Sequence, residues 1–130
     1  MSIRVVRLGT PRHPDEGTRI GTVRRPPRGV PKAEHASRNY YDTWLPELAP
    51  SPELMKLGKE AESDEDWAAF RKQFRSAMAA PDKRRLLDLL ATLSHRTQMS
   101  VGCYCEDENR CHRSVLRELL EEHGAELERD

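Results

Sequence analysis

The sequence predicts a small α/β domain, and three observations carry that prediction. Two short runs rich in β-branched residues stand near the N-terminus, apolar residues recur at helical spacing through the middle, and the last third reads strand, loop, helix in that order. The last of these is half of a βαβ unit, which favours α/β over an all-helical fold.

The elements follow from the residues in turn. Ile3-Arg4-Val5-Val6-Arg7-Leu8 mixes β-branched and charged residues and stops at Gly9-Thr10-Pro11, so it reads as a strand and a turn. Thr18 to Arg24 alternates in character and makes a second strand, closed by Pro26-Pro27, with Arg28-Gly29-Val30-Pro31 as loop. Ser51-Pro52-Glu53 supplies a cap, a proline at the first helical position and an acid at the positive end of the helix dipole, opening a helix to about Lys59. Ser63 caps a second helix with Trp67, Phe70, Phe74 and Met78 on one face and Ala77 filling it. Pro81-Asp82 restarts a third, with a broad stripe of Leu86, Leu87, Leu89, Leu90 and Leu93. Gln98 to Tyr104 alternates small and apolar residues as a strand, and Glu106 to Arg110 is a polar loop. Cys111 or Ser114 opens the last helix, whose apolar face is Val115, Leu116, Leu119 and Leu120 and whose stop signal is Gly124.

Length and composition bound the function classes. A chain of 130 residues with 36% apolar and 34% charged residues is one domain, residues 1–130, with a single core. Arg4 and Arg7 interrupt the only stretch that resembles a signal peptide, and no apolar run approaches the roughly 20 residues that span a bilayer, so the expectation is a soluble protein without a membrane partner. Three cysteines, two of them one residue apart, argue for reduced thiols in a cytosol rather than a secreted disulfide scaffold.

The zero net charge conceals segregation. Residues 1–32 carry eight basic and two acidic groups, whereas residues 42–70 carry eight acidic and two basic ones. One reading is a set of solvated faces that balance one another. The sharper reading is a basic N-terminal segment lining a site for an anion. A nucleic-acid surface is the weaker option, because a pI near 7 lacks the basic footprint of such domains.

All three cysteines fall in Cys103-Tyr104-Cys105-Glu106-Asp107-Glu108-Asn109-Arg110-Cys111-His112-Arg113, between a strand's end and a helix start. Open α/β sheets place ligands there, and free N–H groups at a helix start bind anions. Cys111, between Arg110 and Arg113, is the candidate nucleophile, since the helix dipole and nearby arginines favour a thiolate. His112 is the candidate proton carrier. Arg28, Cys105, Arg110, Arg113 and Ser114 are the candidate ligand-binding residues. Each has a plainer reading, Cys103 as a small buried residue and His112 as a helix-start residue bonded to a carbonyl.

Three chemistries compete for this loop. A cysteine-phosphatase loop needs five residues between Cys and Arg, and no Cys and Arg within residues 103–113 have that spacing. A metal site for zinc or iron could use Cys103, Cys105, Cys111 and His112, although adjacent ligands such as Cys111-His112 tend to point apart. A non-catalytic anion or nucleotide pocket would combine the helix start with His112, Arg113 and Arg28, without a glycine-rich phosphate loop. Beside these stands an interaction module, in which the acidic central helices dock a basic partner and the thiols are structural.

The same residues carry a resemblance. Arg24-Arg25-Pro26-Pro27-Arg28-Gly29-Val30, Trp44 to Leu54, Trp67 to Phe74 and Cys111-His112-Arg113-Ser114 resemble motifs of domain-of-unknown-function family 488, and in particular its YeaO-like branch, over about Ile3 to Leu127. Pro26 stands where that branch usually has Trp. The resemblance implies a mainly parallel short sheet flanked by helices, with the N-terminal strands joining the Cys-bearing strand, and it implies that Arg28 neighbours the Cys111-His112-Arg113 turn. It implies no particular reaction.

Overall fold

The computed structural model describes residues 1–128. Four strands, β1 (Ile3–Arg7), β2 (Thr18–Gly21), β3 (Thr43–Trp44) and β4 (Met99–Cys103), form one sheet in the order β1-β4-β2-β3, with every pairing parallel. Four helices, α1 (Pro52–Lys59), α2 (Asp64–Met78), α3 (Pro81–Ser94) and α4 (His112–Glu122), complete the fold. The α/β class and the parallel sheet are as expected.

Because β4 returns between β1 and β2, it is central and all five of its residues are buried. A parallel strand covered on both faces reads as a continuous run of small and apolar residues, as Met99-Ser100-Val101-Gly102-Cys103 does. The helices cover one face. Ile3, Val5, Ile20, Met99 and Val101 meet Phe70, Phe74, Leu87, Leu90, Val115, Leu116 and Leu120 in the main core, and a smaller cluster of Leu8, Val23, Tyr41, Cys103 and Cys111 packs at the carboxyl ends of the strands. Phe74 is fully buried, and its truncation to Ala should cost about 3–5 kcal/mol.

The other face is covered by the loops after β1 and β2 and holds a buried polar cluster. The Arg19 guanidinium lies against Glu16 through two bonds of 2.5 and 2.9 Å, Ser100 Oγ donates to Glu16 at 2.6 Å, and Arg19 also donates to the carbonyls of Thr10 and Asn39. Arg19 and Glu16 are both buried. Gly21 and Gly102 leave room on this face: a Cβ on Gly102 would come within 2.6 Å of the Val6 carbonyl oxygen.

The caps form where the sequence places them. Ser51 Oγ accepts from Leu54 N at 3.2 Å, Ser63 Oγ accepts from Asp66 N at 3.1 Å, and Gly124 takes φ +91° just past α4. Three expectations need correction. Ala77, Leu89 and Leu93 are exposed, so the apolar faces of α2 and α3 are narrower than predicted, because each helix meets the core along one side only. The second strand ends at Gly21: Thr22 N still donates to the Gly102 carbonyl and Thr22 and Val23 stay buried, but the ladder with β4 stops at the Gly21–Gly102 pair. β3 was not predicted: two residues show no period, and this strand exists because Asp42 N and Leu45 N donate to the carbonyls of Arg19 and Gly21. Among the described residues no helix is long and apolar enough to cross a membrane.

Candidate functional site

The carboxyl ends of β2 and β4 open into a cavity of about 720 Å³, within the roughly 300–1,000 Å³ of small-molecule sites. β4 inserts between β1 and β2, so this is the place where connections leave the sheet in different directions and open a crevice. The cavity is lined by Val23 to Arg28 after β2, by Met55, Lys56, Lys59 and Glu60 of α1 and its end, by Cys103, Tyr104 and Cys105 after β4, and by His112 at the start of α4.

Its charge is lopsided. Arg24, Arg25, Arg28, Lys56 and Lys59 line it against the one carboxylate of Glu60. Arg24 is tied down, donating to the carbonyls of Pro50 at 3.0 Å and Ala49 at 2.9 Å, and so fixes one wall against the segment before α1. Arg25, Arg28, Lys56 and Lys59 are exposed at the rim. Tyr104 Oη donates to the Arg25 carbonyl at 2.8 Å and joins the β2 and β4 sides of the cavity. Burial pushes the Tyr104 phenol far above its ordinary range, so it stays a neutral donor.

At the floor lie two sulfurs and an imidazole. Cys103 Sγ and Cys111 Sγ are bonded to each other across a separation of eight residues, and Cys105 is the free, exposed thiol. The expectation of three reduced thiols is corrected here: the loop of residues 104–110 folds back and brings the end of β4 against the N-cap of α4. His112 Nε2 lies 2.6 Å from the Thr22 carbonyl oxygen, which can only accept, so Nε2 carries the proton and Nδ1 presents a lone pair 3.8 Å from Cys111 Sγ. Burial is the main cause that brings the His112 pKa down to about 4, with the Thr22 bond opposing it and Arg113 and Arg24 adding to it. The ring is therefore neutral at pH 7. Cys103 Sγ, Cys111 Sγ and His112 lie within 4.8 Å of one another, all buried.

An aromatic series runs back from this floor. The His112 ring meets Phe74 edge-on at 5.8 Å, Phe74 stacks on Phe70 at 5.9 Å, and Phe70 stacks on Trp67 at 4.8 Å.

The structure brings some of the expected site residues together and leaves others apart. Arg28, Cys103, Cys105 and His112 share the cavity, and Cys111 packs directly beneath it. Arg113 is buried under the loop and donates to the carbonyls of Cys105 and Glu106, so it shapes the rim. Ser114 Oγ donates to the Cys111 carbonyl. Arg110 points away, pairs with Asp64 at 2.9 Å and covers the Trp67 ring at 5.7 Å. Cys111 is 2% exposed and bonded, whereas Cys105 meets solvent; surrounding protein raises the Cys105 pKa, and Arg113, Lys59 and Arg7 pull against that rise. Of the four metal donors expected, three are gathered and Cys105 stands outside the group.

Sequence reasoning passed over Arg24, Arg25, Lys56, Lys59 and Tyr104. Lys56 and Lys59 are three residues apart on α1 and therefore share a face, a visible signal masked by the acidic composition around them.

A family model described as Active DUF488-N3 subclade matches residues 3–124. No curated protein and no solved structure matches the chain.

Proposed function

The chain belongs to the DUF488 family, through the subclade described as Active DUF488-N3, and from that membership and the cavity at the carboxyl ends of β2 and β4 we propose that it binds an anionic, nucleotide-like small molecule there. The observation that carries this reading is the lining: five cationic side chains against one carboxylate around a cavity of about 720 Å³. Clustered positive charge over a partly apolar wall raises the local concentration of an anion and holds it more strongly than bulk water would allow. Arg24 and Tyr104 hold the walls. Arg25, Arg28, Lys56 and Lys59 meet the anionic group at the rim, and Pro26, Pro27 and Met55 offer an apolar surface to an uncharged part of the ligand.

The thiol open to a bound ligand is that of Cys105, which is free and lines the cavity. The cytosolic placement belongs to the same proposal: a reducing compartment would leave Cys105 unmodified and would hold Cys103 and Cys111 as thiols. The YeaO-like branch also remains part of it, resting on the Arg24 to Val30 and Trp44 to Leu54 stretches.

Calorimetric titration with AMP, inorganic phosphate and adenosine tests the reading. Binding of AMP that weakens with added salt, with adenosine much weaker, supports it. Adenosine equal to AMP, or no heat from AMP or phosphate, overturns it.

A further inference from the structure

We infer that, in the reduced chain, Cys103 Sγ, Cys111 Sγ and His112 Nδ1 form a three-donor site for a zinc-class divalent ion whose fourth position faces the cationic cavity. Four observations point there independently of the charged rim.

The donors are already gathered. Their ligand atoms lie within 4.8 Å of one another, and all three residues are buried, at 1%, 2% and 6% exposure. Tetrahedral sites of thiolate and imidazole place their donors roughly 2.0–2.3 Å from the ion, so neighbouring donors in such a site stand less than twice that distance apart. The three donors therefore already stand close to that spacing.

The imidazole is set in the tautomer a ligand needs. His112 Nε2–H donates to the Thr22 carbonyl at 2.6 Å, which turns the lone pair of Nδ1 toward Cys111 Sγ. A metal-bound histidine commonly donates its other N–H to a carbonyl or carboxylate, which fixes the ring plane and strengthens the donor. Here the partner is a backbone atom at the end of β2, held in the sheet by Thr22 N donating to the Gly102 carbonyl. The edge of Phe74 fixes the ring further.

The backbone positions also suit an ion. The Cα atoms of Cys103 and Cys111 stand 7.7 Å apart, beyond the roughly 4.4–6.8 Å usual for a disulfide, whereas two thiolates that share an ion stand further apart than two bonded sulfurs.

The site opens on one side only. Cys103 and His112 line the cavity while Cys111 lies beneath it. Three protein donors with one position left to a small molecule is the pattern of a catalytic rather than a structural zinc centre. That position faces the space ringed by Arg25, Arg28, Lys56 and Lys59, where an oxygen of an anionic ligand would reach the ion; this last step rests on the function proposed above. Binding itself is a plain exchange: two thiols release two protons, the ion gains two thiolates and the neutral imidazole, and no oxidant or reductant takes part. The ion is of the zinc class because two thiolates and an imidazole are soft and borderline donors, which suit zinc over magnesium or calcium.

The test uses the full chain reduced with a phosphine under argon. Cobalt(II) is added as a spectroscopic probe for zinc and followed by its visible absorption. Zinc is then added, and thiol alkylation is read residue by residue by mass spectrometry. The expected result is one cobalt per chain with thiolate charge-transfer bands and the strong visible bands of four coordination. Zinc displaces the cobalt and slows alkylation of Cys103 and Cys111 at least tenfold, while Cys105 still reacts. Cys105→Ser keeps one cobalt per chain, and Cys111→Ser loses the charge-transfer intensity of one thiolate. Because Cys111→Ser changes a buried position, protection in the unaltered chain stands as the second measure. No cobalt uptake by the reduced, folded chain overturns the proposal, as does loss of uptake in Cys105→Ser. Inorganic phosphate separates the two readings. Phosphate that binds the metal-free chain while cobalt does not leaves the anion site standing without the metal. Cobalt uptake whose spectrum phosphate leaves unchanged supports the three donors and overturns the placement of the fourth position.

Discussion

Replacing Glu16 by Gln should destabilise this domain sharply. Glu16 is buried beneath the loops, and its carboxyl is held at about 2 against an ordinary 4.5. Burial alone pushes that carboxyl up. The hydrogen bonds from Arg19, Ser100 and the His13 N–H, together with the Arg19 charge, outweigh it. The difference corresponds to about 3 kcal/mol of stability at neutral pH, at about 1.4 kcal/mol per pH unit. Since the folded value is the depressed one, this contribution is complete above about pH 4.5 and is lost as the pH falls toward about 2. Glu16→Gln removes it at every pH and leaves the Arg19 guanidinium buried without its counter-charge, a loss of about 3–5 kcal/mol. The assay is urea unfolding followed by far-UV circular dichroism at pH 7 and pH 3. With a slope of about 1–3 kcal/mol/M, the midpoint at pH 7 should fall by at least about 1 M. The gap between the variant and the parent should narrow at pH 3. A fall of less than about 0.5 M at pH 7, or a gap of the same size at both pH values, would refute the reasoning. Glu53→Gln, on an exposed helix start, serves as the control and should leave the midpoint nearly unmoved.

Other outcomes follow from the same contacts. Alkylation of the native chain without reductant should label one thiol per chain, at Cys105, and Cys105→Ser should abolish it; a label on Cys103 or Cys111 counts against the bonded pair. Gly102→Ala should destabilise by about 2 kcal/mol or more, because its Cβ would press on the Val6 carbonyl in the middle of the sheet, and an unchanged unfolding midpoint would show that β1 yields easily. Arg28→Ala and Lys56→Ala should each weaken AMP binding about tenfold, about 1.4 kcal/mol, with unfolding midpoints unaltered; equal affinity in both variants would remove the rim from the site. Phe74→Ala should lower stability by about 3–5 kcal/mol in the same urea assay, and a loss under about 1 kcal/mol would mean that the core refills the space.

Much of the fold was legible because its signals are local. Ser51, Ser63, Pro81 and Gly124 mark helix ends, and Trp67, Phe70, Phe74 and Met78 mark a face, all within a few residues of one another. The candidate site was legible in its seed, the Cys103 to Arg113 stretch, and in Arg28, which the family resemblance set beside it. What completes it is long-range: Thr22 reaches His112 across 90 positions, Tyr104 reaches the Arg25 carbonyl across 79, and α1 swings Lys56 and Lys59 over the strand ends. No spacing rule encodes such meetings. The Cys103 and Cys111 pairing was hidden for a related reason, since Cys-Tyr-Cys draws the eye to the wrong neighbours while the loop closes on the N-cap of α4. Arg110 misled through proximity in sequence, because the short turn of residues 108–110 aims it at Asp64 rather than into the cavity.

The aromatic series from His112 through Phe74 and Phe70 to Trp67 gives the domain an optical tap on its own cavity. The indole sits three rings from the floor, under the Arg110 guanidinium, so anything that reorients or recharges the imidazole alters the surroundings of one fluorophore that never touches the ligand. The second indole, Trp44, is 41% exposed on β3, donates to the Val23 carbonyl at 2.7 Å and stands outside this ring series. With Trp44 replaced by Phe, emission from Trp67 isolates the one indole in ring contact with this series, and a ligand that shifts His112 should register there without a label.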